Sequence, residues 1–184
     1  MATKISSLSN ACARAGFPRE ALSSNNFEDQ FAVSYQVTST DVRATLASAA
    51  EHLAPGGLFV FDVWYSQAVY AKKPEVRIKR LAGNGLDILR IAEPDVYPNE
   101  NRVDVRYTLF VGQVGAKVCQ TFTEMNSMRH FSLPELDTFA EYAEFEWVDV
   151  EEFISGAIPN ESTWGVYLIW RRIKIIKLNM RLVS

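Results

Sequence analysis

The sequence predicts an α/β fold in which buried strands give way to an antiparallel meander and then return. Three stretches predict it. Residues 40–65 read as an amphipathic helix, a tight turn and a buried strand. Residues 76–126 alternate apolar with polar side chains in four runs broken by turn residues. Residues 132–170 go back to a helix followed by strands. The whole chain is 184 residues, enough for one domain with a full core.

Residues 1–30 are rich in serine and asparagine, and Gly16 and Pro18 interrupt the short helical turns on either side of them. They read as a partly ordered arm. Phe31-Ala32-Val33-Ser34-Tyr35 reads as a short strand. Val42, Leu46, Ala49, Ala50 and Leu53 then recur at helical spacing and share one face. Thr38 or Thr40 caps the start of this helix, and Asp41 suits the positive end of its dipole. Pro55-Gly56-Gly57 stops it, because proline cannot continue a helix and glycine takes the positive φ of a sharp reversal. Residues 58–63 carry no charge before Asp62, as in a strand covered on both faces of a parallel sheet. The expected arrangement makes 31–35 and 58–63 adjacent parallel strands, joined by a right-handed helical crossover.

Beyond Tyr65 a connection, with a helical turn at 68–71, leads to the second stretch. Val76, Ile78 and Leu81 alternate with Arg77, Lys79 and Arg80, and Gly83-Asn84-Gly85 separates them from residues 86–92, which predicts a hairpin. Val103, Val105, Tyr107, Leu109 and Val111 share a face of the next strand, and residues 117–126 return. This meander, 76–126, is expected to lie as a lid over the carboxyl ends of the buried sheet. Ser132-Leu133-Pro134-Glu135 opens a helix with a serine cap, a first-turn proline and a capping-box spacing. Leu136, Phe139, Ala140 and Ala143 form its apolar face. Strands at 145–150 and 164–170 flank a loop holding Gly156, Pro159 and Asn160. Residues 171–184 carry five basic side chains and no acidic one, and read as a solvated tail. The organisation is thus an arm (1–30), a main domain (31–170) and a tail (171–184).

Composition excludes several functional classes. A net charge of −3 gives no general attraction to nucleic acid or to an anionic membrane. Cys12 and Cys119 lack metal-type spacing and read as reduced thiols, and no metal set stands out. No apolar run reaches the roughly 20 residues of a membrane-spanning helix. The expectation is a cytoplasmic protein with no nucleic-acid or membrane partner.

The pattern of a helix, His52-Leu53-Ala54-Pro55-Gly56-Gly57, a strand and Asp62 resembles the second half of the class I S-adenosylmethionine-dependent methyltransferases. Val63-Trp64-Tyr65, Arg90-Ile91-Ala92-Glu93-Pro94, Met128-Arg129 and Thr163-Trp164-Gly165 extend the likeness. They are similar to a branch of small-molecule enzymes near the sugar-nucleotide amine N-methyltransferases. The match covers residues 31–170. It implies an incomplete Rossmann-like sheet with the meander inserted on the acceptor side, S-adenosylmethionine as cofactor and a small molecule as acceptor.

The resemblance implies cofactor contacts at Ser34 and Tyr35, and substrate contacts at Trp64, Tyr65, Arg129, His130 and Trp164. Trp64 and Tyr65 follow the buried strand at its carboxyl end, where open α/β sheets bind ligands. Arg129 would hold an anionic group such as a phosphate, or form a structural ion pair. Trp164 closes the pocket or packs, His130 touches substrate or simply ends a strand, and Asp62 binds a ligand or caps a turn. No catalytic base stands out, because Ala32 replaces a histidine at a position where related sequences carry one. The family's glycine-rich cofactor loop is not evident either: the one G-x-G, at Gly83 and Gly85, sits between two strands and does not open a helix. The expectation is therefore a chain lacking the family's first strands, working with a partner subunit or as a homo-oligomer. The alternative is a non-catalytic remnant that keeps the acceptor-side scaffold for binding or oligomerisation.

Overall fold

The computed structural model describes residues 31–83, 85–115, 118–153 and 155–173. The expectations for the 1–30 arm, for Cys12 and for the tail from residue 174 lie outside the described residues. The strands are β1 (Leu58–Tyr65), β2 (Arg77–Gly83), β3 (Leu86–Tyr97), β4 (Arg102–Gln113), β5 (Cys119–Phe131), β6 (Phe145–Glu152) and β7 (Gly165–Arg172). The helices are α1 (Ser39–His52), α2 (Ser66–Lys72) and α3 (Leu133–Tyr142). The strands form one seven-stranded sheet in the order β2-β3-β4-β5-β1-β7-β6.

Both longer helices start where side-chain chemistry dictates. The Thr38 hydroxyl accepts from the Asp41 amide at 3.1 Å, and Asp41 sits in the first turn of α1. Ser132 accepts from the Glu135 amide at 3.4 Å to open α3. Gly56 adopts φ 86° in the turn after α1. Val42, Leu46 and Ala50 of α1 meet Leu136, Phe139 and Ala140 of α3 in the main core. They cover the odd-numbered side chains of β1, Phe61, Val63 and Tyr65, together with Val166, Leu168 and Trp170 of β7. A smaller core of Val69, Ala92, Val103 and Val105 lies under the inner end of the meander, with Trp64 and Trp164 against it.

Three expectations are corrected. Residues 31–35 are not a strand: Ala32–Tyr35 is a 3₁₀ turn, entered through Phe31 at φ 62°. Its polar groups bind β1 through side chains, so it never forms a ladder. The expected crossover between two parallel strands is therefore absent from the described residues. β1 is buried at its carboxyl half, but its main neighbour is antiparallel: seven residues pair with β7, and only Trp64 and Tyr65 pair in parallel with His130 and Phe131 of β5. The meander, finally, is not a lid laid over the sheet. The end of β5 hydrogen-bonds beside β1, which makes the hairpins of β2 to β5 a continuation of the same sheet. Its inner end is buried at Val103 and Met128, while β5 is exposed from Cys119 to Met125.

Candidate functional site

The polar groups of the 3₁₀ turn close onto the carboxyl end of β1. The buried Ser34 hydroxyl accepts from the Trp64 amide at 2.9 Å. The Phe31 amide donates to Asp62 Oδ1 at 2.8 Å. Phe31 pays for this position with a left-handed backbone, uncommon for a bulky residue and found where surrounding structure over-determines it. That surrounding structure is aromatic. The Phe31 ring stacks on Phe153 at 5.4 Å and meets Trp64 edge-on at 6.5 Å. Phe153 stacks on Tyr167 at 4.5 Å, and Trp64 meets Trp164 edge-on at 6.4 Å. Gly165 makes room for this, since a Cβ there would lie 2.9 Å from the Phe31 ring. The result is a continuous aromatic wall, Tyr167-Phe153-Phe31-Trp64-Trp164, with the Asp62 carboxylate beside it. Burial, and then the charge of Asp62, push the Tyr167 phenol up to about 12.

The candidates from sequence divide along the strands. Trp64 and Tyr65 are adjacent in β1 and so point to opposite faces. Trp64 belongs to the aromatic wall, whereas Tyr65 is buried in the main core and only its amide turns back, donating to the Trp164 carbonyl at 2.9 Å. Trp164 stands beside Trp64, and Ser34 is bound to it. Tyr35 is about half exposed. His130 pairs with Trp64 across the β1–β5 ladder, but its ring is fully buried. A 2.8 Å hydrogen bond joins its Nδ1 to the Ser66 hydroxyl, Tyr70 meets it edge-on at 5.1 Å, and Nε2 has no partner among the described residues. Burial and the nearby Arg129 charge lower its pKa to about 4, so the imidazole is neutral at ordinary pH.

Arg129 is committed elsewhere. Its guanidinium pairs with Glu135 at 2.5 Å, donates to the Ser39 hydroxyl and the Val37 carbonyl, and lies over the rings of Phe131 and Phe139. Of the two expected roles, the geometry is that of an internal tie between β5, α1 and α3. Glu135 extends the tie through Asn101 to the Tyr70 hydroxyl. The sequence reading missed Phe31, Phe153 and Tyr167 as parts of the wall. One signal was available: Asp62 and Trp64 share a parity in β1, and so do Gly165 and Tyr167 in β7, which places them on one face. Among the described residues no group of acids, histidines and cysteines is arranged to hold a metal ion, and no helix is long and apolar enough to cross a membrane.

Comparison with known proteins places this architecture. A methyltransferase of Clostridium acetobutylicum, dependent on S-adenosylmethionine, superposes on 90% of the chain and 69% of its own length with a TM-score of 0.63 at 14% identity. The fold is that of the S-adenosylmethionine-dependent methyltransferases. An amino pentose methyltransferase of Micromonospora echinaspora, solved with S-adenosylmethionine bound, matches this methyltransferase fold over 77% of the chain and 54% of its own, with a TM-score of 0.59 at 21% identity. In sequence, the chain is 31% identical over 114 residues to the dTDP-3-amino-3,4,6-trideoxy-alpha-D-glucopyranose N,N-dimethyltransferase of Streptomyces venezuelae. That alignment takes in 62% of this chain and 43% of the relative, so the chain spans under half of the relative's length. No family model matches the chain.

Proposed function

We propose that this methyltransferase-fold chain forms the acceptor side of an enzyme that transfers a methyl group from S-adenosylmethionine to a small-molecule amine, with an amino sugar as the acceptor. The observation that carries the reading is the aromatic wall at the carboxyl end of β1, in a chain 31% identical over 114 residues to an amino-sugar dimethyltransferase. The residues present fit a sulfonium donor in one respect: aromatic faces and the Asp62 carboxylate both favour a cation. S-adenosylmethionine, when bound, supplies the methyl group to an attacking lone pair. Trp64 and Trp164 then serve as apolar walls that orient the acceptor and exclude water. Ser34 and Asp62 hold the 3₁₀ turn and Phe31 against β1, which fixes the shape of that wall.

The second reading, a binding module without transfer, is favoured by one observation. The sequence's single G-x-G falls in the β2–β3 hairpin, where it cannot bring backbone close to a cofactor at a helix start. Losing two or three such hydrogen bonds, at about 0.5–1.5 kcal/mol each, weakens a ligand by roughly one to three orders of magnitude. Calorimetry of the purified chain with S-adenosylmethionine, paired with a methyl-transfer assay over several nucleotide-linked amino sugars, separates the two. Saturable cofactor binding with turnover supports the enzyme. Acceptor binding with neither supports the module.

A further inference from the structure

We infer that the cleft between the end of α2 and the start of β2 is an anion site that holds the phosphate or diphosphate of the acceptor. The inference rests on the reading of Trp164 as a wall of the acceptor site. The cleft is open to solvent, has a volume of about 250 Å³ and is lined by Lys72, Lys73, Glu75, Arg77 and Trp164. Three cations and one carboxylate thus line a space that an indole also lines. The four charged residues form no ion pair among the described residues, whereas Arg102 pairs with Glu100 and Asp104, Arg129 with Glu135, and Arg171 with Glu146. Cations left unpaired around a shared cleft are complementary to an anion of matching size.

The strand register extends the positive surface. Arg77 lies opposite Ala92 and Lys79 opposite Arg90, so Arg77, Lys79 and Arg90 share the face of the meander that carries Ala92, Val103 and Val105. Placing like charges directly opposite in a ladder is unfavourable unless something neutralises them. Arg90 lies over the Tyr107 ring at 5.2 Å, and its Nε is buried without a partner. Lys73 has φ 57° and ψ 134°, a conformation that a side-chain-bearing residue rarely adopts and that here turns the chain between α2 and β2. The cleft meets the aromatic wall at Trp164. An acceptor with an anionic group in the cleft would therefore lay its ring portion on Trp164 and reach towards Trp64. Of the two roles the sequence left open for Arg129, the anion-holding one falls instead to Lys72, Lys73 and Arg77, since Arg129 is already neutralised by Glu135.

The test needs neither cofactor nor turnover, so its outcome is independent of the methyltransferase reading. The full chain is titrated with inorganic pyrophosphate and with thymidine diphosphate, followed by calorimetry and by tryptophan fluorescence. Expected is saturable binding of both that weakens with salt, tighter for the nucleotide, with a change in emission as Trp164 is covered. Because Lys73 and Arg77 are exposed, Lys73→Ala and Arg77→Ala leave the fold intact, which a thermal melt verifies. Each should weaken binding about tenfold, the effect of losing one charged hydrogen bond, and the double variant more. Absence of saturable binding, or affinity unchanged in the double variant, overturns the site. Diphosphate binding in a chain that shows no response to S-adenosylmethionine would keep the site and remove the methyltransferase reading.

Discussion

At the scale of single residues, His130 makes stability depend on pH. Its folded pKa is lowered to about 4, below the roughly 6.5 of an unfolded chain. The unfolded state therefore takes up a proton first as pH falls. Stability is fully present above about pH 6.5 and is lost progressively down to about pH 4, by roughly 2–4 kcal/mol in all. His130→Gln removes this component, so the fall in urea midpoint between neutral and mildly acidic pH should be shallower in the variant. Identical slopes would show that His130 does not titrate between the two states. Arg129 makes a different prediction. Arg129→Ala leaves Glu135 without its partner in a part-buried position and should cost about 3 kcal/mol in a chemical melt. Pyrophosphate affinity should not change, which distinguishes a structural tie from an anion ligand. The roles of these two residues were not legible in the sequence. Met128-Arg129-His130 signals a strand end, but whether a side chain there meets solvent or a neighbouring acid depends on contacts made across the fold.

At the scale of elements, helices and hairpins were readable and pairings between distant segments were not. Apolar spacing and cap chemistry placed α1 and α3, because a cap is a bond between residues three apart. The hairpins of the meander were readable for the same reason: turn residues and alternation are local. Residues 31–35 were not, since Phe31-Ala32-Val33 has the composition of a strand. What decides its conformation is distant: Asp62 takes the Phe31 amide, Ser34 takes the Trp64 amide, and Gly165 admits the ring. Gly165→Ala tests this directly. The new methyl must push the Phe31 ring off its stack, an overpacking cost of about 1–3 kcal/mol, and the emission of Trp64 and Trp164 should shift with it. The strand beneath is less tolerant. Phe61 is buried between Phe59 at 4.7 Å and Trp170 at 4.8 Å, so Phe61→Ala should cost roughly 3–5 kcal/mol. Phe59 is only half buried, and the same truncation there should cost less. Equal melting losses for the two would contradict the burial gradient along β1.

At the scale of the whole molecule, the two faces of the sheet are unequal. One is covered by α1 and α3, whose apolar sides join it in a core of sixteen buried residues. The other is covered by the aromatic wall at Asp62 and Tyr167, but towards the start of β1, beside β6 and β7, it has Ile169 buried with Leu58, Val60 and Val148 half covered beside it. Along this part of the sheet β1 is paired with β7 from Leu58 to Trp64, but with β5 only at Trp64 and Tyr65. A long strand with one short-paired edge and an apolar face is a site for association with further polypeptide. Self-association, where it occurs, is expected to use this edge and face. Sedimentation velocity over about two decades of concentration should show the weight-average coefficient rising, because a concentration-driven equilibrium is governed by mass action. Val60→Lys, which places a charge on that face and on the solvent side of a half-covered position, should abolish the rise without a large fall in melting temperature. A single compact species at every concentration would mean that this face is satisfied within one chain. A rise that persists in Val60→Lys would place the contact elsewhere, at the exposed apolar side chains of the meander such as Val118 and Phe122.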